Sequence, residues 1–271
     1  MTRLNPTAKA AIERLRNYVP PPTAYGDVPL TRRAAVLLLL YADPHGDLRI
    51  VITIRAKTLN AGEAALPGGR ADTLAETPFQ TARREAWEEI GLPDIDQPLP
   101  RPFAVEHLCE LPANLAKTEL VVRPCVALLH SYDPRTNLSA DPEVSLIPQL
   151  DAREVAAVFT APFQHFLHLE GDTDPGEWYR GSWGVWHDSD WRMHQFFVRA
   201  RKGPAYRVFG MTARMIVDAA RVAYEQEPEF EHNSHFGDEA MISKLRSFGR
   251  LREERQSDGL TRAMMEKAKL S

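Results

Sequence analysis

Two apolar runs, Ala34 to Tyr41 and Leu48 to Arg55, flank the polar stretch Asp43-Pro44-His45-Gly46-Asp47. Apolar run, turn residues and a second run predict a β-hairpin. The same texture predicts strands at Phe103 to Glu110, Glu119 to Leu129, Val155 to Thr160, Trp178 to Trp186 and Trp191 to Val198. Helical spacing takes over at residues 5–18, Pro78 to Ile90, Met211 to Tyr224 and from Asp238 to Glu254. Pro20-Pro21-Pro22 predicts an extended connector, and the Pro- and Asp-containing stretch from Tyr132 to Asp151 predicts a surface loop. No internal repeat is visible. Strands and helices intermix with hairpin-like spacing, which favours an α/β (mixed α+β) fold, a mixed sheet covered by helices, over a parallel βαβ repeat. The expected organisation is an N-terminal helix and connector at 1–32, a main domain at 33–225 and a C-terminal helical extension at 226–271.

The helix at 78–90 is the best specified element. Thr77 and Gln80 form a capping box, Pro78 takes the first helical position, and Gly91 followed by Pro93 ends the helix. At 100° per residue, Phe79, Ala82, Ala86 and Ile90 share one apolar stripe. Arg84, Glu85, Glu88 and Glu89 gather on the opposite side, where like charges at helical spacing repel. A hard divalent cation, Mg2+ or Mn2+, would relieve that repulsion and also suits a phosphate substrate. A plain solvated acidic face accounts for the same four residues. The flanking turn Leu66-Pro67-Gly68-Gly69 tips the balance, because glycine lets backbone approach a phosphate closely.

The whole segment from Gly68 to Leu92, GGRADTLAETPFQTARREAWEEIGL, resembles the Nudix box. Glu76 stands eight positions before Arg84 as in the box, while Gly69 precedes Glu76 by one residue more than is standard. The resemblance implies an α/β/α sandwich and a metal-dependent pyrophosphohydrolase. It implies that Glu85, Glu88 and Glu89 hold the metal, one of them also activating water, that Arg84 orients the glutamates, and that Gly69 shapes the loop. Members of the family often recruit a further acid from outside the box, for which Glu106, Glu110, Glu119 and Glu154 are available.

Specificity has to be read separately. Thr53 to Leu59 and Gly62 to Arg70 are similar to the segment before the box in the coenzyme A diphosphatase subfamily, with Leu66 in place of an aromatic residue. Tyr206 to Arg214 is similar to that subfamily's last core helix. The likeness spans residues 33–225 and is strongest to fungal peroxisomal members. It implies a substrate site of Arg55, Lys57, Gly68, Gly69 and Arg70, with the three basic residues reading a 3′-phosphate. A solvated Arg55 at the end of an edge strand is the plainer alternative. ADP-ribose, NADH, a dinucleotide polyphosphate or an oxidised nucleoside triphosphate are the rival substrates. A silent binding module is the rival class, although such modules lose box glutamates and none is missing.

Composition narrows the partners. A net charge of −4 and a pI near 6.2 argue against binding a nucleic-acid backbone but leave a nucleotide open as substrate. The longest apolar run, Ala34 to Ala42, falls short of the roughly 20 residues that span a bilayer. The opening Met-Thr-Arg-Leu-Asn-Pro lacks the apolar stretch of a secretory signal. A soluble intracellular protein is expected, monomeric or homodimeric, acting on a small nucleotide, with no nucleic acid and no membrane partner. Its place is peroxisomal by resemblance, otherwise cytoplasmic or mitochondrial, and Ala268-Lys269-Leu270-Ser271 runs one residue past a peroxisome-like tripeptide. Cys109 and Cys125 read as core, His232-Asn233-Ser234-His235 as polar surface, and Trp178, Trp183, Trp186 and Trp191 as core or a buried edge.

Overall fold

A computed structural model describes residues 4–55, 63–145, 155–171, 178–186, 189–199 and 205–254. Helix α1 (Pro6–Asn17) leads through a 3-10 turn at Tyr25–Asp27 to strands β1 (Arg33–Ala42) and β2 (Leu48–Arg55). Two short strands, β3 (Ala64–Ala65) and β4 (Gly68–Arg70), precede helix α2 (Pro78–Ile90). Strands β5 (Ala104–Glu110), β6 (Asn114–Leu115) and β7 (Val121–His130) follow, then a small hairpin of β8 (Tyr132–Asp133) and β9 (Leu138–Ser139) and a single helical turn, α3 (Pro142–Ser145). Strands β10 (Val155–Pro162), β11 (Tyr179–Trp186), β12 (Ser189–Arg199) and β13 (Ala205–Phe209) lead into α4 (Gly210–Tyr224) and α5 (Glu239–Ser247).

The main sheet runs β10-β2-β1-β7-β5. β1 and β7 are parallel, from Arg33 opposite Val121 to Tyr41 opposite Leu129, and the other pairings are antiparallel. Parallel central strands are buried on both faces, so both read as continuous apolar runs and not as alternation. Ala35, Leu37 and Leu39 of β1 pack with Cys125, Ala127 and Leu129 of β7 beneath Ala82, Ala86 and Ile90 of α2. The opposite face packs against α1 and α4 through Leu38, Leu40, Ala11, Leu15, Ile216 and Ala220. This is the expected mixed sheet with helices on both sides. Helix α1 shares that core, which ties the N-terminal segment to the sheet.

Other sequence expectations shift. The predicted helix from Asp238 to Glu254 is helical only over Glu239–Ser247, where it ends at a turn with Gly249 in the left-handed region. The predicted loop from Tyr132 to Asp151 contains the β8–β9 hairpin and α3 in its described part. Of the tryptophans, Trp178 is buried against Phe166 and Phe196, but Trp183 is 48% exposed. His232 is not polar surface: its side chain is buried and hydrogen-bonded to His194 and Asp218. Both cysteines are free and buried, as expected.

Candidate active site

Helix α2 is fixed at both ends by the residues that announced it. Thr77 Oγ1 accepts from the Gln80 amide at 3.2 Å, and Gln80 Oε1 accepts from the Thr77 amide at 2.9 Å. At the far end Gly91 is left-handed and its amide donates to Trp87. The apolar stripe lies on β1 and β7, so the acidic side turns away from the sheet toward β4. Arg83 is also buried, its guanidinium donating to the Pro93 carbonyl. Burial pushes the proton affinity of Arg83 down.

Strand β4 brings the Gly-Gly turn against that acidic side. It pairs with β1 so that Gly69 lies opposite Ala35 and Gly68 opposite Val36. A Cβ on Gly69 would stand 2.5 Å from the carboxylate carbon and both oxygens of Glu85, so only glycine leaves that carboxylate its place. Gly68 has φ +151°, and a Cβ there would meet the Ala35 carbonyl at 2.3 Å. The Gly68 amide donates to Glu89 Oε2 at 3.2 Å.

One arginine holds the rest together. Arg84 Nε donates to Glu76 Oε1 at 3.0 Å, Nη1 to Glu85 at 3.1 Å and to Glu88 at 3.4 Å, and Nη2 to the Arg70 carbonyl at 2.7 Å. Asp72 lies 3.5 Å from the same guanidinium. Glu76 also accepts from the Asp72 amide and from Thr81 Oγ1, each at 2.9 Å. The extra residue between Gly69 and Glu76 is taken up in this turn, and Glu76 still reaches Arg84. Burial works against ionising Glu76, but the Asp72 amide, Arg84 and Thr81 together hold its carboxyl below the ordinary range. Glu85 goes the other way: burial, with Glu88 and Asp72 nearby, outweighs Arg84 and raises its proton affinity. Burial opposes the charge on Arg84, yet its carboxylate neighbours raise its proton affinity on balance.

Four acids, Asp72, Glu76, Glu85 and Glu88, stand around one guanidinium, more negative charge than Arg84 alone matches. The donors are carboxylate oxygens, the set a hard divalent cation selects, and Gly69 keeps Glu85 clear on one side. Among the described residues no three acid, imidazole or thiol groups converge on one point as ion ligands. Arg84 fills the space between Glu76, Glu85 and Glu88.

Three of the four acids outside the box have other partners. Glu106 bonds Arg16 of α1 at 2.8 Å and His130 at 2.8 Å. The next residue, His107, stacks on Phe79 of α2 at 4.0 Å, so alternation along β5 turns Glu106 to the α1 side. Glu119 is buried between Arg32 at 3.3 Å and Arg250 at 3.1 Å. Glu110 stands opposite Cys125, whose side chain packs under α2, and pairs with Arg123 at 3.0 Å. Glu154 and Lys57 lie outside the described residues. Arg55 and Arg70 are exposed at the ends of β2 and β4.

Sequence reasoning passed over one support of the site. Thr81, which bonds Glu76, carries no motif signal beyond its place five residues on.

Comparison with known proteins adds the family. A family model described as "NUDIX domain" matches residues 31–205. The chain is 33% identical over 201 residues to "Nudix hydrolase 15, mitochondrial" of Arabidopsis thaliana, covering 73% of this chain and 61% of that protein. It is 31% identical over 182 residues to "Peroxisomal coenzyme A diphosphatase 1, peroxisomal" of Saccharomyces cerevisiae, covering 62% and 53%. To "Peroxisomal coenzyme A diphosphatase NUDT7" of Mus musculus it is 30% identical over 190 residues, covering 69% and 68%. The match thus spans little more than half to two thirds of these relatives' own length. Among the described residues no helix is long and apolar enough to cross a membrane.

Proposed function

The chain belongs to the Nudix family, and on that premise we propose that it hydrolyses the pyrophosphate linkage of coenzyme A or an acyl derivative, giving 3′,5′-ADP and a 4′-phosphopantetheine product. The observation that carries the hydrolase reading is the unmatched carboxylate group around Arg84, set against the side-chain-free Gly69. Coenzyme A is supported by the names of the yeast and mouse relatives and by Arg55 and Arg70, two exposed cations on strands next to the Gly-Gly turn.

Glu85, Glu88 and Glu89 would hold Mg2+ or Mn2+, with Glu110 the outside acid on the α2 side of the sheet. Such an ion, when bound, neutralises pyrophosphate charge and makes a water molecule more acidic. The protein's own groups do the rest. The Gly68 amide fixes Glu89. Arg84 keeps Glu76, Glu85 and Glu88 in register, and releasing Glu85 and Glu88 from its Nη1 frees their oxygens for ligation. Glu85, whose burial raises its affinity for a proton, is the group suited to take one from the attacking water. That oxygen bonds to phosphorus as the bridging P–O bond breaks, and the bridging electron pair leaves with the other phosphate.

A substrate panel with mass-spectrometric identification of products tests the reading. If the basic residues read the 3′-phosphate, dephospho-coenzyme A should be cleaved roughly tenfold to a hundredfold less efficiently, the worth of one desolvated charge-assisted contact. Arg55→Ala should erase most of that preference. Equal rates on the two compounds would remove the basic residues from recognition. Faster turnover of ADP-ribose, NADH or a nucleoside triphosphate would replace coenzyme A and leave the chemistry in place.

A further inference from the structure

Helix α4 carries three charged residues on one buried face: Arg214, Asp218 and Arg221. Spaced four and three residues apart, they form a row roughly 10 Å long. The segment that follows the helix turns back at Glu225, which is left-handed, and lays a partner on each. Glu227 takes Arg221 at 2.8 Å, His232 takes Asp218 at 2.9 Å, and Asp238 takes Arg214 at 3.1 Å. Partner numbers rise as helix numbers fall, so the segment runs antiparallel to α4 as a strap. Phe236 lies 4.3 Å from the Arg221 guanidinium and Trp191 of β12 lies 4.0 Å from that of Arg214. Phe230 is the strap's apolar anchor, stacked on Tyr179 at 4.1 Å.

The middle rung continues sideways into β11 and β12. His232 Nδ1 lies 2.7 Å from His194 Nε2, and His194 Nδ1 lies 3.0 Å from the Tyr179 hydroxyl. With Asp218 ionised, one arrangement of hydrogens satisfies every contact. His232 donates from Nε2 to Asp218, His194 donates from Nε2 to His232, and Tyr179 donates to His194. An added proton spoils it. On His194 the proton lands on Nδ1 and takes away the phenol's acceptor, and on His232 Nδ1 it sets two hydrogens against each other across the His194–His232 contact.

From this geometry we propose that the strap, Glu225 to Asp238, is a proton-sensitive latch, closed while the chain from Tyr179 to Asp218 keeps one hydrogen per contact and loosened by mild acid. The groups facing the pair are Tyr179, Arg192, Arg214, Asp218, Arg221, Glu231, His235 and Asp238. Desolvation, with His232, Arg192 and Arg214 adding positive charge, pushes His194 down to about 3 from the ordinary 6.5. Desolvation and Arg214 lower His235 as well, against Asp238 and Asp218. His194 and His235 therefore bind protons more weakly closed than open. The closed strap is most favoured above the open-state value and loses ground as pH falls from 6.5 toward about 3.

The loosening has a path to the rest of the fold. Asp238 accepts from the Leu115 amide at 2.9 Å, and Glu239 accepts from Ala113 at 2.8 Å, from Ala24 at 3.2 Å and from Arg123 at 3.0 Å. The strap's end thus holds β6, the N-terminal connector and the arginine that pairs with Glu110.

Hydrogen exchange read by mass spectrometry on the full chain tests this without reference to any reaction. Peptides covering 226–238 and 112–116 are followed from about pH 7.5 to about pH 5 and corrected for the intrinsic exchange rate. Each proton taken up on opening raises the opening constant by up to roughly tenfold per pH unit below the open-state value. Peptides of α2 should not show that slope. His194→Gln keeps a donor and an acceptor without titrating and should flatten it. If Gln is not accommodated at 194, His232→Gln takes its place. A strap whose corrected exchange varies with pH no more than that of α2 overturns the latch, and so does an unchanged slope in a folded variant.

Discussion

Two helices of this protein carry charged faces, and the faces are built on opposite rules. On α4 every buried charge has a partner of its own: Arg214 has Asp238, Asp218 has His232 and Arg221 has Glu227. On α2 the carboxylates of Glu76, Glu85 and Glu88 share one guanidinium, and Glu89 leans on a backbone amide. Matched charge buried in low dielectric serves structure. A surplus held at a half-open surface is what the proposed site for a cation and a polyanion would require.

The contrast breaks most visibly if the α2 acids are neutralised. Glu85→Gln, Glu88→Gln and Glu89→Gln should each lower turnover by about a thousandfold, the several kcal/mol that a lost metal ligand removes from transition-state stabilisation. The same Glu85→Gln change should leave the metal-free protein as stable as before or more so. Glu85 has a raised folded-state proton affinity, so its contribution is present in acid and lost as pH rises above the ordinary carboxyl range. Melting curves of the metal-free variant against wild type from about pH 4 to about pH 8 measure this. A turnover near wild type, or marked destabilisation at neutral pH, would place Glu85 with the structural charges instead.

Asp238→Asn should show the reverse. It leaves Arg214 buried without its counter-charge, so about 3–5 kcal/mol of folding stability should go. A shift in urea midpoint at constant slope reads it. Smaller is the response to the cation. At a hundred times its dissociation constant, Mg2+ or Mn2+ should raise stability by about 2.7 kcal/mol in wild type and far less in Glu88→Gln. The same ion should do nothing selective at the α4 face. Smallest is the helix start, where Thr77→Ala should cost about 1 kcal/mol of stability by removing half of the capping box.

The same contrast explains what could be read from the chain. Everything that fixes α2 lies within a few residues: the box of Thr77 and Gln80, Pro78, Gly91, and acids at helical spacing. Local rules therefore sufficed, and they extended to Arg84 because Glu76 is only eight residues away. The strap was illegible for the opposite reason. His194 and His232 stand 38 positions apart, and Arg123 and Glu239 stand 116 apart, so no window of sequence contains both partners. His232 looked like surface because its neighbours are polar. Glu231 and Asn233 answer Arg192 of β12, while His232 itself answers the buried Asp218 of α4. Arg83 carried no signal in the sequence either: it is a buried cation whose acceptor is the carbonyl of Pro93, beyond the end of the helix.

The parallel pairing of β1 with β7 has a consequence for synthesis. Its partners, Arg33 and Val121, stand 88 positions apart, and all of β4 and α2 lies in the enclosed stretch. A ribosome makes the glutamates of α2 well before it makes the strand that completes the floor beneath them. Pairings across such a distance form slowly, because the intervening chain must first be gathered in. On a nascent chain the box helix therefore has only β1 of its two floor strands to pack on until the β7 segment emerges.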